Sequence, residues 1–239
     1  MGTSRRWTGA DAGIWRRGDE ALNRWTSTAG NAPILSKSGT EAIGNAYLGC
    51  LQRAARAGKE LEPIRDAMIT YGARLPAAIE RALAVSVRAG GTDSNGAHAV
   101  TDVAVIEGFL DDLGAGGGTL LDAVVRRAAS ETLTAAGGAA AGDGVFCLLY
   151  RMFFAQVVSQ FITTVIAEKV KLAVPVLRAV DPAGEVAAWV AKRVFSLLPN
   201  PCDVPVDNGG SLTQLADSLV HETVDRALGD STAATSGGA

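Results

Sequence analysis

Acidic side chains recur at helical spacing near residue 110, and they are the first group in the chain that could do chemistry. Glu107, Asp111 and Asp112 lie four and five residues apart, so a helix would carry them on neighbouring turns. Paired carboxylates can hold Mg²⁺ or act as general acid and base. No second acidic pair stands on a clear partner helix, so a solvated helix face is the favoured interpretation. A small-ligand or hydrolytic site that joins Glu107 and Asp111 to Arg126 or Arg127 is an alternative.

Two further motifs fall short of the chemistry that they suggest. The glycine-rich segment 114–118 precedes a predicted helix, whose first amides could bind an anion, but it lacks the lysine of a P-loop. The segment 221–225 begins His-Glu and ends in aspartate, where a zinc protease motif needs its second histidine. We therefore predict no catalytic residue, no metal site and no cofactor, and the sequence favours a protein that is not an enzyme.

The three cysteines, Cys50, Cys147 and Cys202, are an odd number and include no CxxC pair. This pattern predicts reduced thiols in a cytosol rather than a disulfide framework. The residues after Met1 are polar and charged, so no secretory signal peptide is expected there. The predicted location is cytoplasmic, with membrane association as the alternative.

Composition indicates the fold class. The chain of 239 residues holds 42 Ala and 28 Gly, and aromatic residues make up only 5%. Such a chain favours closely packed helices over sheets. Apolar residues recur at a spacing of three to four through most segments, so we predict an all-α bundle of about eight or nine helices. A net charge of −3 offers little attraction to phosphates, so no nucleic acid is expected as a partner.

Glycine clusters and capping signals divide the chain. Helix starts are predicted at three capping boxes, which begin at Ser38, Thr119 and Ser211. The predicted organisation is a flexible arm with a weak helix (1–37), an N-terminal sub-bundle (38–136), a Gly/Ala linker (137–143), a C-terminal sub-bundle (144–229) and a disordered tail (230–239).

One long apolar helix, from about 144 to 174, is predicted at the centre of the bundle. Residues 145–174 contain neither glycine nor proline, and residues 152–167 carry no charge. At helical spacing, one face of this segment is polar, and its members fall within an arc of about 140°. These polar stripe residues are Gln156, Ser159, Gln160, Thr163 and Thr164.

The stripe admits three interpretations. It can be hydrogen-bonded inside the core of a soluble bundle, it can fix the register of an oligomer interface, or it can line a pore after the helix enters a membrane. Arg151 argues against a simple membrane span, since a charge at that depth costs several kcal/mol unless it has a partner.

Three of the four tryptophans, Trp7, Trp15 and Trp25, lie in the N-terminal arm beside several arginines. Tryptophan and arginine are enriched at interaction hot spots. Packing of the tryptophans onto their own domain is the competing interpretation.

The sequence thus predicts a non-enzymatic helical interaction or scaffold protein that self-associates and acts with a protein partner. Its predicted contact residues are Trp7, Trp15, Trp25, Gln156, Ser159, Gln160 and Thr163. The alternatives are a membrane-acting effector that uses residues 145–167 and the small-ligand site described above.

Overall fold

The computed structural model describes residues 12–28, 36–57, 61–89, 103–136, 143–173, 184–204 and 211–229. These residues form ten α-helices and one 3-10 turn and contain no strand, which confirms the all-α prediction. In chain order the elements are α1 (Ala12–Thr28), α2 (Lys37–Ala57), α3 (Glu62–Gly72), α4 (Leu75–Ala89), α5 (Val103–Leu113), α6 (Leu120–Ala136), α7 (Asp143–Ala173), α8 (Glu185–Phe195), the 3-10 turn (Pro201–Asp203), α9 (Leu212–Ser218) and α10 (Val220–Leu228). The described helices exceed the predicted eight or nine because the last predicted helix is divided into α9 and α10 at Leu219.

Two of the three predicted capping boxes are present. Ser211 Oγ accepts from the backbone amide of Gln214, whose side chain accepts from the backbone amide of Ser211. At the start of α6, the amide of Thr119 donates to Asp122 Oδ2 (2.9 Å) and the amide of Asp122 donates to Thr119 Oγ1 (3.1 Å). Both boxes satisfy amides that the first helical turn leaves without a backbone acceptor.

The box predicted at Ser38 is wrong. Helix α2 begins at Lys37, so Ser38 lies inside its first turn. The amide of Gly39 instead donates to Ser36 Oγ (3.2 Å). Ser36 therefore takes the N-cap position that was predicted for Ser38, because an N-cap side chain accepts from an amide two or three residues later.

Helix α7 is the central helix, as predicted. It packs along its length against α6 on one side and α8 on another, and it also contacts α3, α4 and α10. Four buried aromatic side chains near its start fill the middle of the molecule: Phe146, Tyr150, Phe153 and Phe154. Phe154 makes edge-to-face contacts with Tyr150 (ring centroids 5.2 Å apart) and Phe153 (5.5 Å), a geometry that aromatic pairs prefer.

Helices from both predicted sub-bundles share one contiguous core. Trp189 of α8 lies so close to Gly44 of α2 that a Cβ atom on Gly44 would come within 2.4 Å of the indole ring. Near the same contact, Thr40 Oγ1 donates to Glu185 Oε2 (3.3 Å). The linker predicted at 137–143 has only Asp143 among the described residues, and the sub-bundle division there stays a prediction.

Candidate functional site

The polar stripe of α7 is bonded largely within the chain. Ser159 is 1% exposed and its Oγ donates to the carbonyl of Ala187 in α8 (2.7 Å). Gln160 is 6% exposed, and its Nε2 donates to Glu131 Oε2 in α6 (2.7 Å). Thr163 Oγ1 donates back to the carbonyl of Ser159 (2.9 Å). Ser159 and Gln160 therefore join α7 to α8 and α6, the two helices that pack most extensively against it.

Glu131 also links this contact to the surface. Its Oε1 pairs with Arg127 Nε at 3.2 Å, one turn earlier on α6. The carboxylate thus accepts from a surface guanidinium and from the buried amide of Gln160. Bridging a buried donor to a partly exposed charge satisfies the amide without burying a full ion pair.

A strip of α7 stays partly open between these two anchors. On a helical projection, Met152, Gln156 and Thr163 fall inside the arc of about 100° that separates Ser159 from Gln160. All three side chains are only half-buried, unlike the two anchors beside them. We call these three residues the open strip. No charged residue lies on α7 between Met152 and Thr163.

The predicted arm contacts divide into one described and two undescribed side chains. Trp15 of α1 is 1% exposed and lies against Tyr47 of α2, with ring centroids 6.3 Å apart. Tyr47 in turn donates its hydroxyl to Asp19 Oδ1 (3.0 Å), and burial together with that carboxylate raises the pKa of Tyr47. Trp15 therefore packs α1 onto its own domain. Trp7 and the side chain of Trp25 lie outside the described residues.

The prediction that all three cysteines are reduced is wrong for two of them. Cys147 and Cys202 form a disulfide; their Cα atoms are 6.0 Å apart and their positions differ by 55 in the sequence. Cys50 is buried and unpaired. A spacing rule finds cysteines that are close in sequence, whereas this pair meets because α8 and the 3-10 turn return to the start of α7.

Arg151 lies one helical turn after Cys147 on α7. Its Nη2 donates to the carbonyl of Phe195 (2.9 Å), and its guanidinium carbon lies 4.0 Å from the centroid of the Phe195 ring. Both contacts fall at Phe195, the last residue of α8. The disulfide bonds the 3-10 turn that follows α8 to the same helix, α7. Arg151 was noticeable in the sequence as the lone charge between 145 and 167, but its partner was not.

The acidic residues near 110 do not form a metal centre. Glu107 and Asp111 are exposed, and Asp112 pairs with Arg81 Nε of α4 at 2.7 Å. Within the described part of the chain, no three His, Cys, Asp or Glu side chains come together as a metal site would require.

A shallow groove of about 460 Å³ lies on the outer side of α5 and α6. Its lining residues are Leu110, Ala123, Arg126, Arg127 and Ser130. The two arginines belong to the predicted ligand site, but Glu107 and Asp111 are not part of the lining. The groove therefore brings together the two arginines of that alternative without its two carboxylates.

The glycine-rich segment before α6 is an interhelical loop. Gly114 has φ +70°, which glycine adopts without strain. Arg74 Nη1 donates to the carbonyl of Leu113 (3.0 Å), and Arg126 Nη2 donates to the carbonyl of Gly117 (3.1 Å). The helix start that could face an anion is occupied instead by the carboxylate of Asp122.

That carboxylate is itself held by a buried tyrosine. Tyr71 of α3 donates its hydroxyl to Asp122 Oδ1. Burial and this hydrogen bond raise the pKa of Tyr71 to about 12. Burial alone would raise the pKa of Asp122, but the hydrogen bonds from Tyr71 and Thr119 and the charge of Arg126 outweigh it and lower that pKa.

One described helix has the length and composition to cross a membrane. The segment Gly144–Thr164 of α7 has a mean hydropathy of 1.6, and 78% of it is buried inside the protein. The core helix of a soluble protein passes the same test, and the packing of α7 against α6 and α8 is of that kind.

Comparisons with known proteins found no matching protein-family model, no matching curated protein and no matching solved structure.

Proposed function

We propose that this chain is a non-enzymatic helical interaction protein that self-associates through the open strip of α7. The observation that carries the proposal is the partial exposure of Met152, Gln156 and Thr163 on a segment of α7, residues 152–163, whose other side chains are all buried. The centre of a protein interface is depleted in charged residues and enriched in methionine. The open strip has both properties, whereas an ordinary solvated helix face carries charge.

The proposed contact is narrower than the whole polar stripe. The side chains of Ser159 and Gln160 are hydrogen-bonded to α8 and α6. A partner could therefore bind them only if these bonds inside the chain were broken. Gln156 and Thr163 are the predicted contact residues that a second chain can still reach. Gln156 can pair with its own copy across a two-fold axis, because a side-chain amide both donates and accepts.

The test is the concentration dependence of the oligomeric state, measured by sedimentation and light scattering. Gln156→Arg places a charge at the centre of the open strip. Asn45→Arg, at an exposed position on α2, is the matched control. We expect the wild type and Asn45→Arg to have the same dissociation constant for self-association. We expect the dissociation constant of Gln156→Arg to be at least tenfold higher. A wild-type monomer at every concentration would refute the proposal, as would a Gln156→Arg variant that associates like the control.

Membrane action through α7 is the second candidate, and the apolar segment Gly144–Thr164 is the observation that favours it. Insertion would require α7 to leave α6 and α8, and so to break the bonds that Ser159 and Gln160 make. Flotation with anionic and with neutral vesicles tests this candidate. Binding to either kind supports it, and absence of binding to both excludes it.

The location of the protein stays a prediction. The cysteine pattern predicted the cytoplasm, whereas the Cys147–Cys202 disulfide favours an oxidising compartment.

A further inference from the structure

The two sulfurs of the disulfide lie in unequal surroundings. Cys147, near the start of α7, is 3% exposed and belongs to the hydrophobic core. Cys202 is an exposed residue of the 3-10 turn. Thiol–disulfide exchange requires a thiolate to reach one of the two sulfurs from outside. Of the two bonded cysteines, only Cys202 is exposed to solvent.

A positively charged side chain, Arg151, lies on the same face of α7 as the buried Cys147. Arg151 follows Cys147 by four residues on α7, so the two side chains emerge on the same helical face about 6 Å apart at their Cβ atoms. The Nη2 of Arg151 is engaged by the carbonyl of Phe195, but its Nε is buried and makes no hydrogen bond to any described residue. A cation next to a thiol favours the thiolate, and a stabilised thiolate leaves faster.

We propose that the Cys147–Cys202 disulfide is an exchange site for an external dithiol, with Cys202 as the sulfur that is attacked and Cys147 as the sulfur that leaves. A thiolate of the dithiol attacks Cys202 Sγ, and the Cys147–Cys202 bond breaks with its electron pair on Cys147. The second thiolate of the dithiol then attacks the external sulfur of the mixed disulfide and releases Cys202. The dithiol is oxidised to its own disulfide, two electrons pass to the cysteine pair, and the two thiols of the dithiol supply the protons.

The contact between Arg151 and Phe195 keeps the two cysteines near each other once the disulfide is reduced. It ties the end of α8 to α7 independently of the sulfurs. After reduction, this contact keeps the 3-10 turn close to α7, so that the two cysteines stay near each other and can be oxidised again. The co-reactant is a protein or small molecule with paired thiols that acts as the reductant of this bond.

The direction of attack can be read with a monothiol, which cannot complete the second step. The oxidised full-length protein is treated briefly with glutathione, quenched with excess maleimide and digested for mass spectrometry. We expect glutathione on Cys202 and maleimide on Cys147, with this arrangement at least tenfold in excess of the reverse. Equal labelling, or glutathione on Cys147, would overturn the proposal.

The role of Arg151 is tested by the sign of a rate change. Arg151→Gln removes the charge, and Arg193→Gln removes an exposed arginine of α8 as the matched control. If Arg151 only held the site together, its loss would loosen the site and speed the exchange. We expect the opposite, a rate about three to ten times lower than in the control, because the leaving thiolate has lost its cation.

A pH profile separates the charge effect from loss of structure. In Cys202→Ser, the rate of alkylation of Cys147 follows its thiolate fraction, and Cys50 can be followed separately by mass spectrometry. Adding Arg151→Gln to this variant is expected to move the midpoint of that profile to higher pH. An unchanged midpoint, or an unchanged exchange rate in Arg151→Gln, would show that Arg151 does not assist the leaving sulfur.

Discussion

Removing the disulfide should cost this protein a measurable part of its stability, and the size of the effect follows from where the bond lies. The two cysteines are 55 residues apart, so the bond closes a loop that contains nearly all of α7, α8 and the connection between them. Cross-linking a loop of this length restricts the unfolded chain by about 4 kcal/mol at 25 °C in the chain-entropy model. Unfolding entropy near the midpoint is about 0.5 kcal/mol/K for 239 residues, so the expected fall in Tm is about 8 °C.

Cys202→Ser is a better perturbation than replacement of Cys147, because Cys202 is exposed and its replacement leaves the core around the buried Cys147 filled. Thermal unfolding should be followed by circular dichroism with and without reductant, for the wild type and for the variant. Reductant should lower the Tm of the wild type to that of Cys202→Ser and should leave the variant unchanged. A variant that unfolds within 1 to 2 °C of the oxidised wild type would refute this reasoning about the unfolded chain. A reductant effect that persists in the variant would assign the change to something other than this bond.

Three more outcomes are expected. Gly72→Ala should destabilise the protein by about 1–3 kcal/mol in denaturant unfolding, because the new Cβ would lie 2.8 Å from both Phe154 and Val220; Gly108→Ala, where nothing lies within 4 Å, should instead stabilise α5 by up to about 1 kcal/mol, and equal effects would contradict this. The pKa values of the three tyrosines are all raised on folding, that of Tyr71 to about 12 and those of Tyr47 and Tyr150 further. The stability that they contribute is complete below pH 10 and falls as the pH rises above 10, with the share of Tyr71 lost through about pH 12. Tyrosinate absorbance that appears at pH 10 in the native protein would disprove it. Ser159→Ala should cost about 1 kcal/mol, the value of one hydrogen bond between α7 and α8, and an unchanged midpoint in the same unfolding assay would show that the bond contributes nothing.

The sequence predicted the helices well because local signals decide where helices begin and end. The boxes at Thr119 and Ser211 place a side-chain oxygen and an acid or amide three residues apart, and each of these short-range requirements was met in the structure. The failure at Ser38 has the same origin. Ser36 and Ser38 offer the same hydroxyl, and the capping-box pattern, which needs an acid or amide three residues on, is met only by Ser38 with Glu41, whereas the bond in the structure is made by Ser36.

The contacts of the candidate site were beyond the reach of periodicity. The partners of Cys147, Ser159 and Gln160 lie between 28 and 55 residues away, and nothing local to either partner marks the pair. A helical projection identified which α7 residues share a face. It could not show that Ser159 and Gln160 are buried and bonded to α8 and α6 while Gln156 and Thr163 between them are half-open, because that depends on how closely the two helices approach.

The packing of α7 limits what this helix can do. A polar residue in a core helix is tolerated when its bonds are made within the chain, and Ser159 and Gln160 meet that condition through α8 and α6. Gln156 lies between them, half-exposed, and a side-chain amide at such a position is satisfied equally well by water or by a partner. An interaction at the open strip therefore costs no bond inside the protein, whereas insertion of α7 into a membrane would break several. For that reason self-association through Gln156 requires less change in this fold than any function that moves α7.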